Sequence, residues 1–194
     1  MFDLVAATLL FGLAANSDNL TIGVAYGMRH RWIRWHQNLL IAIVTTLVTL
    51  VAMALGRQIR EMLPSRMPDM VGGALLLAFA AWNFYRERGG LSDRPSVPVP
   101  RFGAQKTVGL GESLFLAATL SINNLGLAIA GGIGGLRYIS AACSIFCFSV
   151  VMLALGQAAG SGFTRVRSVP PVLRNPAAGS AALALAGILM LAGF

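Results

Sequence analysis

The chain has 194 residues, of which 56% are apolar and 11% are charged, and its mean hydropathy is +0.72. A soluble domain carries about a quarter charged residues, so this composition excludes an ordinary water-soluble fold. The formal net charge of +8 would suit nucleic-acid binding, but the basic residues lie between the apolar segments or at their ends, which indicates membrane topology and argues against a nucleic-acid partner.

Six apolar segments follow one another along the chain, and each approaches the ~20 residues that cross a bilayer as a helix. We call them spans 1 to 6: Leu4–Tyr26, Leu39–Leu55, Met70–Phe84, Ser113–Leu136, Ile139–Ala159 and Val172–Phe194. Span 3 is short and needs its flanks to cross. The pattern predicts an all-α polytopic membrane protein of six transmembrane helices, with the lipid bilayer as its first partner.

Basic residues are divided unevenly between the two sides that six spans create. One side receives four of the fifteen, and the other receives eleven, including Arg29, Arg31 and Arg34 after span 1. Because cytoplasmic loops carry an excess of Lys and Arg, we expect the richer side to face the cytoplasm. The sequence therefore predicts a multi-pass protein of the cell inner membrane with both termini outside the cytoplasm.

The two halves of the sequence resemble each other. Ala15–Leu20 in span 1 is matched by Leu120–Leu125 in span 4, and Ala52–Gln58 in span 2 is matched by Met152–Gln157 in span 5. Because each half has three spans, the second copy must be inverted, a plan common among secondary transporters. We predict a first three-helix repeat, a cytoplasmic linker rich in Pro and Gly, and an inverted second repeat, at residues 1–85, 86–110 and 111–194.

Two polar clusters interrupt the apolar spans at matching places. They consist of Asn16, Ser17, Asp18 and Asn19 in span 1, and of Ser121, Asn123 and Asn124 in span 4. A charge at the centre of a spanning helix costs ~2.5–3.5 kcal/mol, so Asp18 is a candidate for a functional site. Four consecutive side chains sweep about 300° around a helix, so span 1 is either enclosed by protein or unwound here. Interhelical hydrogen bonding is the simpler alternative.

The donor set favours a hard cation. The spans contain no His, and a carboxylate with amide, hydroxyl and carbonyl oxygens suits Mn²⁺, Mg²⁺, Ca²⁺ or Na⁺ better than zinc or copper. The spans place no His base beside a Ser nucleophile, which argues against an intramembrane hydrolase or another enzyme. We expect no resident cofactor.

Small residues follow each cluster at a spacing of four. Gly23 and Gly27 come after the first, and Ala128 and Gly132 come after the second. Such spacing lets helix backbones touch, so we expect spans 1 and 4 to pack against each other and to bring the clusters together. A homodimer is compatible with a transporter of this size.

The segment Asn16–Val24 with Tyr26–Arg29 resembles the first signature of the manganese efflux pump family (MntP type), and more closely its YtaF-like branch. Leu120–Gly126 resembles the second signature, so the likeness runs over the whole chain. Related cation exporters of the lysine-exporter superfamily share this plan. The resemblance implies Mn²⁺ export, with the metal held at Asp18 and at position 123, and the two inverted repeats lead us to expect alternating access.

Position 123 departs from the family pattern, because it is Asn where the motif expects Asp. With Asp18 alone, a divalent ion keeps about one uncompensated charge in surroundings of low dielectric constant. The sequence leaves two alternatives open: a non-transporting membrane scaffold that kept the fold, or an exporter of a small organic solute. Glu112 lies ~16 Å from Asn123 along a helix, so we assign it to the mouth of span 4.

Overall fold

The computed structural model describes residues 2–64, 67–88 and 107–163. Within these ranges the chain forms six α-helices. They are α1 (Phe2–Ala15), α2 (Ser17–Met28), α3 (Trp35–Met62), α4 (Met67–Arg88), α5 (Leu110–Ile133) and α6 (Tyr138–Phe163). Span 6 and most of the predicted linker lie outside the described residues.

The helices agree with the predicted spans except at one place. Among the described residues, three helical stretches are long and apolar enough to cross a membrane, and Met67–Trp82 is a shorter apolar one. The three long stretches are Trp35–Met62, Leu110–Ile133 and Tyr138–Gly162. Span 1 is divided at Asn16 into α1 and α2. The helical membrane class is therefore supported, while the count of six spans stays a prediction.

The helices pack in a pattern that differs from the one expected. The most extensive contacts join α2 to α6 and α3 to α5. Spans 1 and 4 do not pack together through their small residues: Gly23 and Gly27 lie against α6, and Gly132 lies against α3. Ala128 is fully buried in the main apolar core. The small residues serve close packing, but each half uses them to contact the other half's second helix.

Glycine sets the distance between these helices. A Cβ on Gly156 would collide with the Leu20 carbonyl oxygen of α2. In the other pair, a Cβ on Gly56 would collide with the Ile129 carbonyl oxygen, and one on Gly132 with the Met53 carbonyl oxygen. Because backbone carbonyls cannot turn aside as a flexible side chain can, a larger residue at these positions would force the helices apart.

We expect Gly132→Ala to lower the free energy of unfolding by about 1–3 kcal/mol through overpacking against α3. Gly111→Ala is the matched control, since it adds the same methyl to the same helix where nothing lies within 4 Å. Thermal midpoints of the purified protein in detergent measure both. Equal midpoints for the two variants would contradict the close α3–α5 contact.

Candidate cation site

The interruption of span 1 is stabilised by the polar side chains at the break. Asn16 has φ −108° and ψ 8°, outside the helical values of its neighbours. Its Nδ2 donates to the Gly12 carbonyl oxygen at 2.8 Å and to the Ile145 carbonyl oxygen of α6 at 3.3 Å. Ser17 Oγ donates to the Ala14 carbonyl oxygen at 2.9 Å. Two carbonyls near the end of α1, those of Gly12 and Ala14, thus accept hydrogen bonds from side chains at the break.

The break places Asp18 in the first turn of α2. The N-terminus of a helix carries partial positive charge, so a carboxylate there is more stable than in the middle of an unbroken helix. Asp18 is half-buried, with a side chain that reaches toward α5. One of the two explanations offered by the sequence, a local unwinding of span 1, therefore describes the first cluster.

Asp18 and Asn123 meet. Asn123 Nδ2 of α5 donates a hydrogen bond to Asp18 Oδ2 of α2. This contact joins two positions that the sequence had paired through the likeness of its halves and through the family resemblance, although the small residues expected to bring them together pack elsewhere. In α5 the helix is continuous across the second cluster, so unwinding is confined to the first.

The remaining cluster residues have separate surroundings. Asn19 is buried; its Nδ2 donates to Asn16 Oδ1 at 3.0 Å and to Ser149 Oγ of α6 at 2.8 Å, while its own Oδ1 has no partner. Ser121 Oγ donates to the Ala117 carbonyl oxygen at 2.7 Å. Asn124 is 6% exposed, and within the described ranges no hydrogen bond of its side chain is formed. Asn16, Ser17 and Ser121 are therefore engaged by backbone carbonyls, whereas Asn19 and Asn124 keep free oxygens.

One contact of this site and one ion pair outside it were missed from the sequence. Ser149, fully buried in α6, holds Asn19, and its position inside an apolar span was the signal that could have found it. Glu112, which the sequence assigns to the mouth of span 4, lies in the first turn of α5, is only 4% exposed and binds Arg31 and Tyr26. Arg31 and Glu112 are 81 residues apart in the chain, so no local sequence pattern indicates that they form an ion pair.

The described residues hold no group of three or more His, Cys, Asp or Glu side chains that could bind a metal. A cation at Asp18 would therefore take one carboxylate and otherwise neutral oxygens. Asn123 can join such a set only if its amide turns its oxygen, rather than its nitrogen, toward the ion. This chemistry suits a hard cation with retained water ligands.

Comparison with known proteins gives a family match for the first half of the chain. Residues 3–84 match the family described as "Putative manganese efflux pump". A curated relative, "Probable sporulation protein YtaF" of Bacillus subtilis (strain 168), is 28% identical over 82 residues, which cover 42% of this chain and 39% of the relative. No solved structure gives a significant match.

The similarity to the manganese efflux pump family is therefore confirmed over residues 3–84, which contain the first cluster and Asp18. The match spans well under half the length of the relative, and the second cluster with Asn123 lies outside the family match.

The hydrogen bond from Asn19 to Ser149 should stabilise the α2–α6 pair. We expect Asn19→Ala and Ser149→Ala each to lower stability, with a coupling energy of about 0.6 kcal/mol in a double-mutant cycle, the average for interhelical hydrogen bonds in membranes. Unfolding by denaturant in detergent measures the cycle. Ser140→Ala is the control, because the hydroxyl of Ser140 donates to the Arg137 carbonyl oxygen three residues earlier in the chain and joins no second helix. Zero coupling would contradict the bond.

Proposed function

We propose that this protein is a secondary transporter that exports a divalent cation, with Mn²⁺ as the first candidate, across the cell inner membrane. The observation that carries the proposal is the contact between Asp18 and Asn123, which unites the two polar clusters of the sequence at one point. The family match over residues 3–84 supports the substrate class. Asp18 supplies the charge that attracts the ion.

Neutral oxygens complete the proposed site. Asn123 contacts Asp18, whereas Asn19 and Asn124, which follow Asp18 and Asn123 in the sequence, have separate surroundings and would have to turn their buried amide oxygens toward the ion. Since only one carboxylate is present, the bound divalent ion keeps part of its charge, and affinity is lower than at a site with two. Protonation of Asp18 would remove the main attraction and so offers a way to couple export to inward proton flow.

Alternating access is proposed through two inverted three-helix repeats. The packing supports this plan, because each half supplies a helix to both glycine-containing pairs, α2 with α6 and α3 with α5. The arginine-rich loop after α2 would face the cytoplasm, as the positive-inside rule requires, with both termini on the opposite side.

A second candidate, a non-transporting membrane scaffold, is favoured by one observation. The Asn123 amide donates to the Asp18 carboxylate and so occupies one of the oxygens that a cation would need. If this bond persists in all states, Asp18 serves helix packing alone.

Flux of Mn²⁺ into proteoliposomes tests the proposal. We expect saturable flux in the natural protein, loss of flux in Asp18→Asn, and about tenfold tighter apparent affinity in Asn123→Asp, since ~1.4 kcal/mol of added attraction gives that factor. Asp69→Asn is the control, because it removes a carboxylate that pairs with Arg60 away from the site.

Competition by Mg²⁺, Ca²⁺ and Na⁺ in the same assay identifies the ion. Flux that survives Asp18→Asn would refute the site. Absence of flux in the natural protein, with flux created by Asn123→Asp, would support the scaffold and refute transport by the natural sequence.

A further inference from the structure

A buried ion pair joins the ends of α2 and α5 at some distance from Asp18. Arg31, in the loop after α2, binds Glu112 in the first turn of α5 through both carboxylate oxygens, Nη1 to Oε1 at 2.7 Å and Nη2 to Oε2 at 2.9 Å. Tyr26 Oη donates to Glu112 Oε1 at 2.7 Å. The side chains of Arg31 and Glu112 are 13% and 3% exposed. Water therefore has little access to this pair.

Further bonds close the same junction. The Val108 N–H donates to the Trp32 carbonyl oxygen at 3.0 Å, and the Gln37 side-chain amide of α3 donates to the Val108 carbonyl oxygen. The Arg31 guanidinium lies 5.8 Å from the centre of the Tyr26 ring. The loop after span 1 and the segment before span 4 are thus held together through both backbone and side chains.

Apolar residues fill the space beneath the ion pair. Ile22 of α2, with Leu116, Ala117 and Leu120 of α5, is almost completely buried in one cluster. On α5 these residues lie between Glu112 and Asn123, which are ~16 Å apart along the helix. An ion that moved from the Arg31 end toward Asp18 would therefore first meet the paired Glu112 carboxylate and then a buried apolar layer.

We propose that Arg31, Glu112 and Tyr26 form the gate on the cytoplasmic side of the cation site, closed in this structure. The proposal rests on the proposed transport function and adds the residues that control entry. Opening the gate separates Arg31 from Glu112, which exposes a carboxylate at the mouth of the path and allows α2 and α5 to part over the apolar layer. A bidentate ion pair suits this role, because two charged groups that separate into water are hydrated and the two states can remain close in energy.

Accessibility of a buried cysteine tests the gate without any transport measurement. The background carries Cys143→Ala and Cys147→Ala, since both natural cysteines are exposed. Ala117→Cys reports on the apolar layer, and Leu110→Cys, at an exposed position, reports that the reagent reaches the protein. The probe is a membrane-impermeant methanethiosulfonate applied to the Arg31 side of oriented vesicles.

We expect Arg31→Ala and Glu112→Gln to raise the labelling rate of Ala117→Cys about tenfold by shifting the population toward the open state. Arg29→Ala, which removes the same charge from the same loop, should leave the rate unchanged. The exchanged pair Arg31→Glu with Glu112→Arg should restore slow labelling. Arg31→Lys keeps the charge but loses the bidentate geometry, so an intermediate rate is expected.

A labelling rate in Arg31→Ala within about twofold of the parent would overturn the gate, since a gate must change the open population. An equal rise in Arg29→Ala would overturn it as well, because loosening would then be general. If Arg31→Ala does not fold, the Arg31→Lys rate decides: an unchanged rate refutes the gate. Failure of Mn²⁺ flux with a positive labelling result would refute Mn²⁺ export, while showing that the Arg31–Glu112 pair controls access to the apolar layer.

Discussion

The requirement that every backbone polar group in an apolar bundle find a partner governs the centre of this structure. A helix cannot be interrupted there unless its released carbonyls are satisfied, and Asn16 and Ser17 do this at Gly12 and Ala14. The interruption in turn gives Asp18 the N-terminus of α2, where a carboxylate is stabilised. Asn16, which the sequence predicts as an ion ligand, thus stabilises the helix break, and the break allows Asp18 to carry its charge.

Glycines and polar side chains make two different kinds of contact between the helices. Within the pairs α2–α6 and α3–α5, glycines allow backbone to touch backbone, so each pair is held by dispersion over a long contact. Between α2 and α5 the described contacts include two polar ones, Asp18 with Asn123 and Glu112 with Tyr26. A buried apolar cluster that includes Ile22 of α2 and Leu116 of α5 also joins the two pairs.

Asn123 gives the site its particular chemistry. An amide can donate to Asp18 or turn and accept a cation, whereas a second carboxylate could only repel Asp18 until an ion arrived. In the proposed site, Asn at position 123 would therefore give a lower affinity for a divalent ion than a second Asp, together with a site that is stable when empty. The proposed divalent transport requires the Asn123 amide to turn its oxygen toward the ion, whereas in the scaffold alternative the amide stays bonded to Asp18.

Composition and periodicity alone determined the helical membrane class, the polar clusters and Asp18 as the residue of interest, because burying a charge in apolar surroundings is costly wherever it occurs. The likeness of the halves also paired Asp18 with Asn123. Only the tertiary structure decided that Gly23 faces α6 rather than α5, and that Glu112 is buried against Arg31. Both facts depend on which helix faces lie opposite each other. The spacing of small residues indicates that a helix can approach another closely, but it does not indicate which helix is the partner.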